Sequence, residues 1–384
     1  MATFITQEHK SFTPEDRRAI IDLKLDYFGY KKSIKFLGLS QDLVTSYYIG
    51  VDWLVEGTHS LMVKPKIEGL DYMAMFMKCL SFPEAINEMN ETYHISFNKS
   101  PIDIDSSDFD ITPILIIHFL KTVEKIVRQG LKKDYVIMED NLKSKIKGKL
   151  VLTQHIKKNL LKSRYDTNYC RYQEYSIDCK ENRILKKALR VISSYLNNQT
   201  KYKEDFIRIH HFCLAAFESV SDEGINHQTN HIKVSPFYRD YKEALNLAEM
   251  IFKRLGYDNA NKTIHQKRFT PPFWINMAKL FEIYVFSLLR EKYGKSIYFQ
   301  SKGKYGYVDF LKIDEQLIID TKYKLVYGNT EKKDGEYKIE DIRQLAGYSR
   351  DVNVRKKLNI FDENKVVDCI IIYPDKNSPE RFEG

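Results

Sequence analysis

The five cysteines of this 384-residue chain, Cys79, Cys170, Cys179, Cys213 and Cys369, are an odd number and form no Cys-x-x-Cys pair. That argues against a zinc ribbon or a disulfide framework and fits a reducing, cytoplasmic compartment. No apolar run reaches the roughly 20 residues needed to span a bilayer, so no membrane partner is expected. The longest run, Ile111 to Leu120, is interrupted by Pro113 and His118. The opening Met-Ala-Thr-Phe-Ile-Thr lacks the basic region and apolar core of a secretory leader. No glycine-rich loop ends in Gly-Lys-Ser or Gly-Lys-Thr, so the chain itself is not expected to hydrolyse nucleotide. Gly148-Lys149-Leu150 lacks both the hydroxyl residue and the upstream glycine. The acidic loop Asn98 to Asp110 lacks the ligand spacing of a calcium loop and reads as a linker. Low-complexity sequence is absent, and 26 Tyr with 22 Phe argue against disorder.

What is present points to a large folded chain. Hydrophobic residues make up 43%, and 384 residues suit two or three domains better than one core. The formal net charge of +9 is compatible with a nucleic-acid partner. From Leu142 to Tyr165 the chain carries Lys143, Lys145, Lys147, Lys149, Lys157, Lys158, Lys162 and Arg164 with no acid until Asp166. This stretch is either a solvated helix face or a surface for an anionic partner.

Three regions are expected. Residues 1–110 read as mixed α/β, with strands at Tyr47 to Val51 and Ser60 to Val63 and a Met-rich helix from Asp71 to Leu80. Residues 111–265 read as largely helical and include the basic segment 142–165. Residues 266–384 begin near Pro271-Pro272 and run helix, strands, helix, strand. The helix is Met277 to Tyr293, and the apolar run Val366 to Tyr373 reads as a buried strand. The fold class is α/β, or α+β overall, with a C-terminal α/β sandwich around a small mixed sheet.

The densest signal is Tyr307 to Lys324, two apolar strands joined by Asp314-Glu315. Pairing them across that turn sets Ile313 against Gln316, and continuing the ladder sets Asp309 against Asp320. Facing partners share a face with Cβ atoms roughly 5 Å apart, where two carboxylates repel. A divalent cation would remove the conflict, because hard cations prefer carboxylate oxygen. Alternation adds Lys322 to that face, where an ammonium can hold a phosphate or a water. This is the composition of a metal-dependent phosphodiesterase site. An exposed strand carrying ordinary charges is the alternative.

Asp309 followed by Asp320-Thr321-Lys322, with Glu282 on the preceding helix, resembles the PD-(D/E)xK nuclease superfamily. Val308 stands where that motif has proline. Gln344-Leu345-Ala346-Gly347-Tyr348 matches the Gln-x-x-x-Tyr signature of its RecB-like branch, and residues four apart share a helix face. The wider chain, from about Tyr47 to Tyr373, resembles the McrC family. The matching stretches are Tyr48-Ile49-Gly50-Val51 through Val63-Lys64-Pro65-Lys66, Ile146-Lys147-Gly148-Lys149-Leu150 with Thr153-Gln154-His155-Ile156, Tyr175-Ser176 with Asn182-Arg183-Ile184-Leu185-Lys186, Leu280-Phe281-Glu282, and Asp320 to Lys324.

That resemblance implies the nuclease subunit of an McrBC-type, 5-methylcytosine-dependent restriction system. It implies double-stranded DNA as substrate, Mg²⁺ (or Mn²⁺) as cofactor, and a hexameric AAA+ GTPase partner that binds the GTP and recognises the modified base. Contact with the ring is expected from the N-terminal region, and stimulation of GTP hydrolysis with it. Asp309 and Asp320 are then the metal ligands, with Glu282 either completing the shell or lying on a solvated flank. Lys322 orients water or stabilises phosphate charge. Gln344, Tyr348 and Lys324 are candidates for orienting DNA or the site, and Arg183 and Lys186 for facing the partner. Two other readings are an assembly subunit whose nuclease is dormant without its ring, and a stand-alone nuclease of another defence or repair pathway.

Overall fold

The computed structural model describes residues 2–25, 35–67, 69–80, 82–104, 111–197, 203–222, 239–261, 268–304, 306–324 and 339–374. The chain forms two compact units, one from 1–114 together with 261–384, the other from 115–260. The fold class is the expected mixed α/β. The charged loop expected at Asn329 to Lys338 lies outside the described residues.

The first unit holds two main sheets. One has five strands in the order Ala2–Gln7, His59–Lys64, Tyr48–Val55, Phe273–Asn276, Tyr93–Ile95. Its first pair is parallel and the rest are antiparallel. The strand Phe273–Asn276, distant in sequence, thus sits among N-terminal strands. Gly50 makes this possible: its φ is +136°, and a Cβ there would lie 2.3 Å from the Phe273 carbonyl oxygen. Only a residue without a side chain permits that approach. One face packs around Phe4, Leu37, Leu39, Leu43, Leu61 and Val63.

The second sheet runs Ile297–Lys302, Tyr307–Lys312, Leu317–Thr321, Cys369–Ile372. The first three strands are antiparallel neighbours, and the last joins in parallel. A parallel strand needs a crossover. Here that stretch contains the helices Ile339–Arg350 and Val352–Lys357. Val308, Leu311, Ile318, Leu345, Val354 and Leu358 form the core between sheet and helices. Phe299 and Phe310 stack with Phe286 of the helix Met277–Tyr293, at centroid separations of 4.6 and 6.4 Å. That helix is capped by Asn276, whose side chain accepts the Lys279 N–H at 3.1 Å, and it ends at Gly294 with φ +58°. It is also tied to the N-terminal region by Lys78–Glu291 at 2.5 Å and Arg290–Glu84 at 3.1 Å.

The second unit contains the helices Lys180–Leu196, Lys203–Ala216 and Arg239–Asn261 and most of Thr112–Gln129. Ile184, Leu185, Ala188, Leu189 and Ile192 are buried at helical spacing. It also contains a sheet that the largely helical reading of 111–265 lacks: Asp134–Lys143 pairs antiparallel with Thr167–Ser176 over ten residues, and Lys149–Leu150 adds a short third strand. Most of the long strands is exposed or half-exposed, so charges and tyrosines occupy both faces and the apolar alternation is blurred. The basic run 142–165 lies on the connection between these strands. It is mostly exposed, with Ile146, Leu152, Leu161 and Tyr165 outside as well.

Candidate active site

The hairpin has the register read from its sequence. Phe310 faces Ile319, Leu311 faces Ile318 and Lys312 faces Leu317. The turn closes with the Gln316 N–H donating to the Ile313 carbonyl at 3.3 Å, and Gln316 takes a left-handed φ of +55°. One further step along the ladder sets Asp309 against Asp320.

The two carboxylates have different surroundings. Asp309 Oδ2 accepts from the Thr321 backbone N–H at 2.8 Å and from the Thr321 hydroxyl at 2.5 Å. Asp320 is 1% exposed. Its Oδ2 forms an ion pair with Lys322 Nζ at 2.5 Å, although the approach lies outside hydrogen-bond alignment. Burial, then the neighbouring Asp309, push the Asp320 carboxyl up from 3.8 to about 6, against the pull of Lys322. Desolvation works against the Lys322 ammonium, but Asp320, Asp309 and Asp341 together outweigh it and raise its pKa. Lys322 therefore stays charged at neutral pH.

Glu282 comes from the capped helix and joins this group electrostatically. Its carboxyl is raised by burial, drawn back by Lys279 and raised again by Asp309. Gln300 Nε2 donates to Glu282 Oε1 at 2.9 Å, and Lys279 Nζ donates to Oε2 at 3.4 Å. The solvated-flank alternative for Glu282 does not describe this position.

Lys324 points to the next helix. Its Nζ bonds both oxygens of Asp341 at 2.9 Å. Gln344 and Tyr348, on the same helix, come together with each other: Gln344 Nε2 donates to the Tyr348 hydroxyl at 2.7 Å. The helix thus sends Asp341 toward the carboxylate pair, while Gln344 and Tyr348 form a more exposed pair further along.

Arg183 and Lys186 lie in the second unit. Arg183 makes a two-pronged contact with Asp178 at 2.8 and 2.6 Å. Lys186 is 5% exposed and donates to the carbonyls of Val220 at 2.5 Å and Glu218 at 3.3 Å. An ammonium buried this way pins the turn that follows the helix Lys203–Ala216 instead of projecting outward.

Sequence reading passed over Thr321, Lys279, Gln300 and Asp341. Three of them left a signal. Thr321 lies inside the Asp-x-Lys triplet, Lys279 is one helical turn before Glu282, and Asp341 is one turn before Gln344. Gln300 comes from the strand paired beside that of Asp309 and left none.

The donor set suits a hard divalent cation. Asp320 is a buried carboxylate held beside another, and its ionised form is the one a cation stabilises. Among the described residues, no three His, Cys, Asp or Glu side chains converge as a ready-made ligand group. Asp309 and Asp320 are the two carboxylates that the hairpin brings together, and Glu282 is linked to Asp309 electrostatically.

A small mixed sheet that sets an acidic pair and a lysine beside a carboxylate-bearing helix defines the class: a mixed α/β protein with an acidic cluster on its second sheet. The family profile of the McrBC 5-methylcytosine restriction system component matches residues 45–362. The chain belongs to that family and is a subunit of a restriction endonuclease system. No curated protein matches it. Two solved structures are similar, both from Thermococcus gammatolerans. One is a refined half-complex, from a tetradecameric assembly, of McrB AAA+ hexamers with bound McrC. It is 16% identical with a TM-score of 0.38, over 98% of this chain and 96% of that chain. The other is a McrBC complex, 15% identical with a TM-score of 0.35, over 75% of this chain and 87% of that chain. Among the described residues, no helix is long and apolar enough to cross a membrane.

Proposed function

We propose that this chain is the Mg²⁺-dependent, DNA-cutting subunit of its restriction system, acting with a hexameric AAA+ GTPase that binds GTP and selects DNA containing 5-methylcytosine. One observation carries the nuclease reading: Asp309 and Asp320 lie next to the Phe310–Ile319 pair that ends the hairpin ladder, with Lys322 on Asp320 and Asp309 acting on the Glu282 carboxyl. Asp309 and Asp320 would hold the cation, with Glu282 supporting. When bound, the cation supplies Lewis-acid stabilisation of phosphate charge and acidifies water.

The remaining roles belong to side chains. Thr321 orients Asp309 through its amide and hydroxyl. Lys322, charged at neutral pH, stabilises negative charge building on the scissile phosphate. Lys279 and Gln300 hold Glu282 toward Asp309. Lys324 and Asp341 fix the strand end against the helix carrying Gln344 and Tyr348, which we assign to orienting the DNA strand.

A second reading has a specific observation in its favour. Thr321 donates to Asp309 Oδ2 and the Lys322 ammonium is drawn onto Asp320 Oδ2, so both carboxylates already have a neighbour within the chain. A site that opens only in the assembled complex would have this form, and the chain alone would then be a dormant nuclease and an assembly subunit. Asp320→Ala tests the nuclease reading. The variant should bind the AAA+ partner like wild type and cut no DNA. Cutting at the wild-type rate would remove Asp320, and the site, from the account.

A further inference from the structure

The residue between the two lysines of the Asp320 to Lys324 segment is held from an unexpected direction. Tyr323 is 5% exposed. Its carbonyl accepts from Lys66 Nζ at 2.5 Å. The same ammonium lies 3.7 Å from the centre of the Tyr323 ring. The Tyr323 hydroxyl donates to Glu8 Oε2 at 3.1 Å, and that oxygen also takes the Lys66 backbone N–H at 3.1 Å. Glu8 is 1% exposed, and its Oε1 has no hydrogen-bond partner among the described residues. On the other side, the Tyr323 ring packs against Phe281 at 5.7 Å, next in sequence to Glu282.

These contacts join Glu8, Lys66 and Tyr323 into one buried group. Glu8 and Lys66 lie one and two residues beyond the paired strands Ala2–Gln7 and His59–Lys64, and the Glu8 N–H still bonds the Lys64 carbonyl at 3.0 Å. Both therefore sit at one end of the five-stranded sheet, and both act on the residue that follows Lys322, Lys66 at its carbonyl and Glu8 at its hydroxyl. Burying a carboxylate, an ammonium and a phenol together is costly unless they satisfy one another. A buried group of this kind is weak evidence of stabilisation in itself, which directs attention to what it holds in place. Desolvation, outweighing the attraction of Glu8, lowers Lys66 to about 8, the sign expected of an ammonium drawn into the interior.

We propose that Lys66 is a positioning residue of the nuclease site: through the Tyr323 carbonyl, with Glu8 locking the Tyr323 hydroxyl, it fixes the backbone that aims Lys322. The inference rests on the nuclease reading above. It places a determinant of cutting in the N-terminal sheet, some 250 residues from the motif it serves. Lys66 also feels the charge of Lys324, and its hydrogen bond to this segment is the one to the Tyr323 carbonyl.

The test is steady-state cleavage of a methylated plasmid by the full-length chain with its AAA+ partner, GTP and Mg²⁺. Lys66→Met, Lys66→Arg, Tyr323→Phe and Asp320→Ala are compared with wild type. A misaimed lysine should lower kcat by about ten- to a hundredfold. The expected result is that loss in Lys66→Met, with KM for DNA and binding to the partner within about twofold of wild type, and recovery of most of kcat in Lys66→Arg. Tyr323→Phe keeps the ring and the carbonyl and serves if Lys66→Met does not fold; it should lower kcat several-fold at unchanged KM. Wild-type kcat in Lys66→Met, or in Tyr323→Phe, would overturn the proposal. So would a loss that tracks weakened partner binding, because that marks a structural role. If Asp320→Ala cuts like wild type, the nuclease reading itself fails, and that result is distinct from any change at Lys66.

Discussion

Replacing Asp320 by asparagine should stabilise this protein at neutral pH while abolishing its activity. The magnitude follows from the site. The Asp320 carboxyl is held at about 6 against an ordinary 3.8, first by burial and then by Asp309. At about 1.4 kcal/mol per pH unit, the ionised side chain costs the fold about 3 kcal/mol once both states are ionised. The attraction of Lys322 is already contained in that balance. The sign is that of a raised carboxyl. Its contribution to stability is full below 3.8, falls as pH rises and is gone above about 6. Asparagine keeps the shape and removes the charge. At pH 7.5 its melting temperature should exceed that of wild type, by roughly 6–12 °C at about 2–4 °C per kcal/mol. Below pH 4 the two proteins should melt together. Mg²⁺ should raise the wild-type midpoint at pH 7.5 and leave the asparagine variant where it is. Scanning calorimetry across pH, with and without Mg²⁺, reads all of this. An asparagine variant less stable than wild type at pH 7.5 would refute the reasoning, because the buried charge would then be compensated in the folded chain.

Other expectations are more local. Thr321→Val removes the hydroxyl donor to Asp309 and keeps the amide donor, so it should cost about 1 kcal/mol in denaturant unfolding and lower the cleavage rate about tenfold. Lys186→Met should destabilise the unit 115–260 by about 1–3 kcal/mol through the orphaned carbonyls of Glu218 and Val220, leaving DNA cleavage per folded molecule unchanged; hydrogen exchange localises the loss. Glu282→Gln removes a buried charge raised in pKa and should raise thermal stability while weakening the Mg²⁺ dependence of cutting, as read from a metal titration.

The parts legible in the sequence were those with local causes. The hairpin was readable because two apolar strands flank a short polar turn, and its register then follows from counting outward from Ile313 and Gln316. The site helix was readable from its period. Lys322 fell into place because side chains alternate along a strand. The strands Asp134–Lys143 and Thr167–Ser176 were not readable, since a sheet with both faces largely wet carries no clean alternation. Nor was the insertion of Phe273–Asn276 between strands more than 170 residues away, which shows only in the glycine at position 50. Glu8 and Lys66 were invisible for the same reason: burial of a charged group depends on tertiary neighbours, and nothing in the flanking residues marks it. Lys186 is the converse case. Its helix reads as amphipathic with outward charges, yet its ammonium turns inward to the carbonyls of Glu218 and Val220.

The most direct test of the central claim is plasmid cleavage in the presence of Mg²⁺ and GTP. Methylated and unmethylated plasmids are compared, with this chain alone, the AAA+ GTPase of its system alone, and the two together. Cutting confined to methylated plasmid with both proteins present, and abolished by Asp320→Ala in this chain, is the expected result. Cutting by this chain alone without GTP, or cutting by the pair that survives Asp320→Ala, would contradict it.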